Sequence, residues 1–125
     1  MTKDTCELAL RTILLPRDTN ASGSIFGGVI LSHIDIAGAV PAKRLAPSRQ
    51  FVTIAMNEVV FHEPVFVGDI ISFYASVKKV GNTSITVEVD VIVERKDVPG
   101  SSVQVTSADV TYVAVDENRR PVAIS

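Results

Sequence analysis

Between Ile85 and Glu94 the chain alternates almost without a break. Ile85, Val87, Val89, Val91 and Val93 stand against Thr86, Glu88, Asp90, Ile92 and Glu94. A period of two over this length dictates a long strand with one face in a core and the other toward water, since no helical period puts those valines on one side. Residues 70–80 repeat the pattern, with Ile71, Phe73, Ala75 and Val77 against Ser72, Tyr74, Ser76 and Lys78. Gly81-Asn82 lies between the two runs, so they pair as an antiparallel hairpin. Val98-Pro99-Gly100 has the residue order of a type II turn and leads to a further strand over 102–115. Its apolar parity changes between Val105 and Ala108, which places a bulge or twist near Thr106 or Ser107. Residues 51–62 and 6–15 complete a set of five antiparallel strands.

One segment breaks the alternation. From Gly27 to Val40 the sequence is apolar almost all round, and it opens on two glycines. That length and composition predict a buried helix rather than a strand. Pro41 is expected to end or bend it near Val40. The order strand, helix, four strands is α+β in class: a single sheet curling around one buried helix.

The 125 residues fit one domain, 1–125, and 46% apolar content is enough to build a core without metal or disulfide staples. A net charge of −2 with no basic block argues against nucleic acid as a partner. Cys6 is the single cysteine, so no intrachain disulfide forms and a reducing compartment is expected. The N-terminus has no apolar leader, and no run is long enough to span a bilayer. The expectation is a soluble cytoplasmic protein with no membrane partner.

Asp35 is the anomaly of the helix, because Ile34 and Ile36 flank it. A buried carboxylate must be partnered, raised in pKa or open to a cleft, and each of these tunes a general base or nucleophile. The alternative is a narrow polar stripe reaching solvent, since Ser32 shares a face with Asp35. His33 lies two residues from Asp35 and points elsewhere, so the two make no dyad. His62 precedes Glu63-Pro64, and neither histidine has metal-ligand spacing; no metal is expected. Both histidines are structural or substrate-lining on this reading. Cys6 precedes the first strand and is a poor nucleophile candidate. The turn-rich loop from Pro16 to Gly28 runs into the helix start, where unpaired amides attract an anion or a polarised carbonyl oxygen. It is neither a P-loop nor a dinucleotide fingerprint, and an ordinary long loop with a glycine-containing cap is the other reading.

The residues Asp18-Thr19-Asn20, Gly23, Ile25-Phe26-Gly27-Gly28, Ile34-Asp35 and Ala37-Gly38 resemble the motif of bacterial hotdog-fold acyl-CoA thioesterases. The branch is the short, single-domain one related to cytosolic brain-type acyl-CoA hydrolases. The likeness continues through Val52-Thr53, Phe61, Pro64-Val65, Val67-Gly68-Asp69, Gly81-Asn82-Thr83-Ser84 and Tyr112-Val113-Ala114-Val115. The resemblance implies a hotdog fold and hydrolysis of acyl-CoA to a free acid and CoA. It implies Asp35 as general base or nucleophile, Asn20 as the group positioning water or thioester, and the Gly28 amide as the carbonyl-polarising donor. Phe26 and Gly27 would adjoin the substrate, and Gly81, Asn82, Thr83 and Ser84 would contact CoA. No cofactor is implied beyond the coenzyme A carried by substrate and product. The family places its site between subunits of a homodimer, and such dimers commonly assemble as trimers of dimers.

Two further readings of the same fold remain. A hotdog hydratase acting on enoyl thioesters would need a His with an acidic partner, and neither His33 nor His62 stands in such a motif. A non-catalytic acyl-CoA-binding module would bind without turnover. Phe26, Phe61 and Phe66 are candidates to line or block the acyl site, or to be plain core.

Overall fold

In the computed structural model, which describes residues 6–125, the long alternating run is the centre of the sheet. The N-terminal reading rests partly on residues 1–5, which lie outside the described residues. The elements are β1 (Glu7–Thr12), a 3-10 turn (Pro16–Asp18), α1 (Gly27–Leu45), β2 (Gln50–Phe61), β3 (Ile70–Val80), β4 (Ser84–Glu94) and β5 (Val103–Val115). The strands form one antiparallel sheet in the order β1-β3-β4-β5-β2. The expected α+β architecture, helix against one sheet, is what forms.

β4 shows why. Ile85, Val87, Val89, Val91 and Val93 are all buried, while the residues between them are half-buried on the other face. Each buried side chain contributes about 1.5–3 kcal/mol. Across from them α1 buries Ile30, Ile34, Ala37, Gly38, Pro41 and Ala42, a stripe at helical spacing. The opposite side of α1 is not covered: Gly28, Ser32 and Ile36 are exposed. The helix is therefore buried on one stripe, not all round.

The turns follow the sequence. The amide of Ser101 donates to Val98 O at 3.1 Å and Gly100 has φ +83°, the type II geometry. Val91 pairs with Thr106 and Ile92 with Gln104, so Val105 is the extra residue of a bulge beside the expected place.

The helix end differs from expectation. α1 runs through Pro41 to Leu45. Pro41 removes one intrahelical bond at a cost of about 3 kcal/mol. Its ring lies on the buried stripe, and continuing the helix also buries Ala42 and Ala46 and brings Arg44 to an ion pair with Glu7 of β1. Those contacts offset the loss, so the proline sits within the helix rather than ending it.

Candidate active site

The loop before α1 is held by its own polar groups. Asp18 accepts from the Leu15 amide at 3.0 Å through Oδ2, and its carbonyl accepts from the Phe26 amide at 2.8 Å. Asn20 Oδ1 accepts from the amides of Ser22 (2.9 Å) and Ser24 (3.2 Å), and Nδ2 donates to Ser24 Oγ at 3.0 Å. Asn20 thus shapes the loop while remaining exposed. The Ile25 amide donates to Val65 O at 2.7 Å, which docks the loop on the β2–β3 connection.

That docking fixes the helix start. Phe26 occupies the N-cap with no side-chain cap, and the first amides to find helical acceptors are those of Val29 and Ile30, both on Phe26 O. The amides of Gly27 and Gly28 therefore have no intrahelical acceptor. A Cβ on Gly28 would come within 2.7 Å of the Phe26 ring, and one on Gly27 within 3.2 Å of the Phe61 ring. Only glycines leave this end of the helix accessible between the two phenyl groups. Phe26, Phe61 and Phe66 are all exposed, so none is plain core.

Asp35 lies two turns further along, on the same helix face as Gly28, about 10 Å away at 1.5 Å per residue. It is half-buried, and Thr53 Oγ1 on β2 donates to its Oδ1 at 2.6 Å. Its backbone carbonyl accepts from Tyr112 Oη on β5 at 2.6 Å. Burial, with the Asp35 carboxylate nearby, pushes the Tyr112 phenol well above its ordinary value, so it stays a neutral donor. Both readings of Asp35 thus hold in part: it is partnered, and it sits on a stripe that reaches the surface.

Asn20, Gly27, Phe61, His62 and Glu63 come together around a cleft of about 310 Å³ at the helix start. Asp35 does not line it. Gly81, Asn82 and Thr83 form the β3–β4 connection and Ser84 opens β4, fixed by the Gly81 amide on Ser84 O (2.7 Å), the Ala114 amide on Thr83 O (2.8 Å) and the Ile124 amide on Asn82 O (2.9 Å). Ser84 pairs with Val113, whereas Phe61, beside Gly27, pairs with Thr106. Seven residues of strand separate those positions, roughly 20 Å, so one chain does not join Gly81–Ser84 to Gly28.

His33 stacks on Phe73 with ring centroids 5.8 Å apart, and its Nδ1–H faces Val29 O at 2.8 Å. His62 Nε2 stands 3.4 Å from Ser107 Oγ. Among the described residues no group of three or more His, Cys, Asp and Glu side chains is arranged to hold a metal ion. Nor is any described helix long and apolar enough to cross a membrane.

Three groups that the structure brings forward have no role assigned from the residue order alone. Thr53 and Tyr112 hold Asp35 from two different strands. Asp69, 1% exposed, accepts from Arg95 Nη1 at 2.7 Å and from the Phe66 amide at 2.9 Å. Arg95 also donates to Pro64 O at 2.8 Å and lies over the Phe66 ring. This knot braces the connection on which the helix start is docked. Its only sequence signal is a Gly-Asp pair after Val67.

The chain is similar to proteins of a known family. The family model described as the thioesterase superfamily matches residues 22–99. The chain is 43% identical over 117 residues to the acyl-CoA thioester hydrolase YciA of Salmonella typhimurium, covering 92% of this chain and 87% of that protein. A hexameric hotdog fold thioesterase of Campylobacter jejuni superposes with a TM-score of 0.88 at 52% identity, over 95% of this chain and 90% of that one. The acyl-CoA hydrolase of Staphylococcus aureus, solved with butyryl coenzyme A and coenzyme A, superposes with a TM-score of 0.84 at 26% identity, over 97% of this chain and 72% of that one.

Proposed function

Because this chain belongs to the thioesterase superfamily and has its hotdog fold, we infer that it hydrolyses acyl-CoA thioesters to a carboxylic acid and free CoA. The observation that carries the mechanism is the shared, uncovered helix face bearing both the Gly28 amide and the Asp35 carboxylate. The thioester carbonyl oxygen accepts from the Gly28 N–H at the positive end of α1. Asp35 takes a proton from water as that water's oxygen attacks the carbonyl carbon. The resulting oxyanion is held by the same amide. It collapses, the C–S bond breaks, and the thiolate of CoA leaves and is reprotonated. Thr53 donates to one carboxylate oxygen and so orients the group, with the Tyr112 hydroxyl close by.

The spacing of about 10 Å is too long for one carbonyl to reach both groups of a single chain, since attack needs about 3 Å on each side. Two copies related by a two-fold axis, with their α1 helices antiparallel, set Gly28 of one against the partner's Asp35. β2 supports this. It is a sheet edge of twelve residues carrying exposed Ile54, Val60 and Phe61, and Ile36 on α1 is 59% exposed beside it. Long apolar edges are pairing surfaces. The same two-fold carries the other copy's β3–β4 connection toward this end of the helix, where Gly81, Asn82, Thr83 and Ser84 would contact CoA. Asn20 would orient the water or the thioester, and Phe26 and Gly27 would flank the substrate. Relatives are hexameric, and a trimer of such dimers is the assembly proposed here. Coenzyme A then enters only as part of substrate and product, in the cytoplasm.

The test is release of thiol from a panel of acyl-CoAs by the purified protein. Asp35→Ala should lower kcat by about a thousandfold, within the range of general base catalysis. A folded Asp35→Ala protein with parental rates would remove the assignment. Water addition to an enoyl thioester without thiol release would favour a hydratase instead.

A further inference from the structure

One residue walling the cleft at the helix start carries a buried polar atom that nothing in the mechanism uses. Ile30, Phe61, Val65 and Thr106 line the cleft beside Gly27. Thr106 is 1% exposed, and its Oγ1 is buried without a hydrogen-bond partner. It follows the β5 bulge, so it stands in the helix-facing row with Ala108, Val110 and Tyr112. Other polar groups of the sheet are met: Ser72 Oγ accepts from Arg11 Nε at 2.7 Å, and Thr86 pairs with Thr111 at 3.1 Å. Valine has the same shape as threonine and would fill this position with no unmet hydroxyl. A buried hydroxyl without a partner is destabilising until something supplies a hydrogen bond.

We propose that Thr106 is a specificity-determining residue, and that the cleft takes acyl chains bearing an oxygen, the 3-hydroxyacyl group above all. The proposal rests on the thioesterase reading. A thioester whose carbonyl oxygen lies on the Gly28 amide has its acyl chain against Gly27, which is a wall of the cleft. The chain then runs past Ile30, Phe61 and Val65, which favour hydrocarbon. A hydroxyl carried on that chain pairs with Thr106 Oγ1, each able to donate or accept. A saturated chain of the same length fills the apolar walls but leaves the threonine unmet.

Thiol release is measured with matched pairs: butyryl-CoA against 3-hydroxybutyryl-CoA, and hexanoyl-CoA against 3-hydroxyhexanoyl-CoA. The parent should prefer the hydroxylated member by about tenfold in kcat/KM, the size of one good hydrogen bond in a closed site. Thr106→Val should abolish the preference, chiefly by raising kcat/KM for the saturated member, and Thr106→Ser should retain it. Thr106→Val should melt at or above the parent, because it removes an unmet hydroxyl. A purely structural threonine would move the melting temperature and leave the substrate ratio alone. Hydrolysis of both members in a ratio near one, or a ratio that Thr106→Val leaves unchanged, overturns the proposal, including the case where a second copy fills the cleft. Absence of thiol release from either member in the parent removes the thioesterase reading itself, and this inference falls with it.

Discussion

Replacing Gly38 by alanine tests the packing that holds Asp35. At an ordinary helix position glycine to alanine stabilises by about 1 kcal/mol. At Gly38 the sign reverses. A Cβ there would stand 3.3 Å from Cε2 and Cζ of Tyr112 and overlap its hydroxyl. Tyr112 is 2% exposed, and that hydroxyl donates to Asp35 O at 2.6 Å. Either the ring swings or α1 moves off β5. Losing the bond in a buried setting costs about 1–3 kcal/mol. Overpacking costs about 1–3 kcal/mol more. Subtracting the helical gain leaves a net loss of about 1–5 kcal/mol, centred near 3. For a chain of this length the centre corresponds to a drop in melting temperature of about 10 °C.

The measurement is thermal and urea unfolding at one fixed protein concentration, because association adds to apparent stability. Tyr112→Phe removes the overlapping oxygen, so the double variant should be less destabilised than the sum of the two singles by about 1–3 kcal/mol. A Gly38→Ala protein melting at or above the parent would refute this account of the helix–sheet contact.

Other perturbations separate the remaining parts. Asp69→Asn removes the charge that Arg95 and the Phe66 amide hold, and it should lower stability by about 2–3 kcal/mol. This is read as a shift of the urea midpoint with an unchanged slope. Tyr112 has a raised phenol pKa in the folded protein, so its contribution is full below about pH 10 and falls above it, where the unfolded chain gives up the proton first. Unfolding free energies measured from about pH 9 to 11 should therefore decline less steeply in Tyr112→Phe than in the parent. Ile54→Lys places a charge on a residue that is 60% exposed at the β2 edge. Light scattering should show the assembly lost while circular dichroism stays that of a folded chain, and thiol release should drop about a hundredfold or more. A fully active monomer would contradict a site completed by a second copy.

The strands are legible in the sequence because alternation writes the two faces of a sheet directly into the residue order. β4 is the clearest instance, and Pro99-Gly100 is nearly as direct, since few backbones other than a type II turn suit that pair there. The helix start is legible for the same kind of reason, through Gly27 and Gly28. Its end is not: Pro41 is locally a breaker, and only the tertiary burial of Pro41, Ala42 and Ala46 decides the matter. Asp35 is legible as an anomaly but not as an environment. Consecutive helix residues point about 100° apart, so Ile34 is fully buried while Ile36 faces outward, and being flanked by both says nothing about the residue between. Thr53 and Tyr112 carry no local signal, since they meet Asp35 across separations of 18 and 77 residues. Thr106 is visible only as the neighbourhood of a bulge.

Three features are incomplete in a single chain: the unaccepted amides at Gly27 and Gly28, the Asp35 carboxylate about 10 Å along the helix from them, and the unpaired apolar edge of β2. They are not independent, because all three adjoin one side of α1. A small ligand alone could satisfy the amides, but it could not cover Ile36 and Ile54 or shorten the distance from Gly28 to Asp35. A second copy alone could cover the edge, but it brings only another unaccepted amide and another carboxylate. Two copies with a thioester between them satisfy every group at once: edge on edge, amide on carbonyl oxygen, carboxylate on water. On this argument association and catalysis are one physical requirement, and a substitution confined to the β2 edge should remove both together.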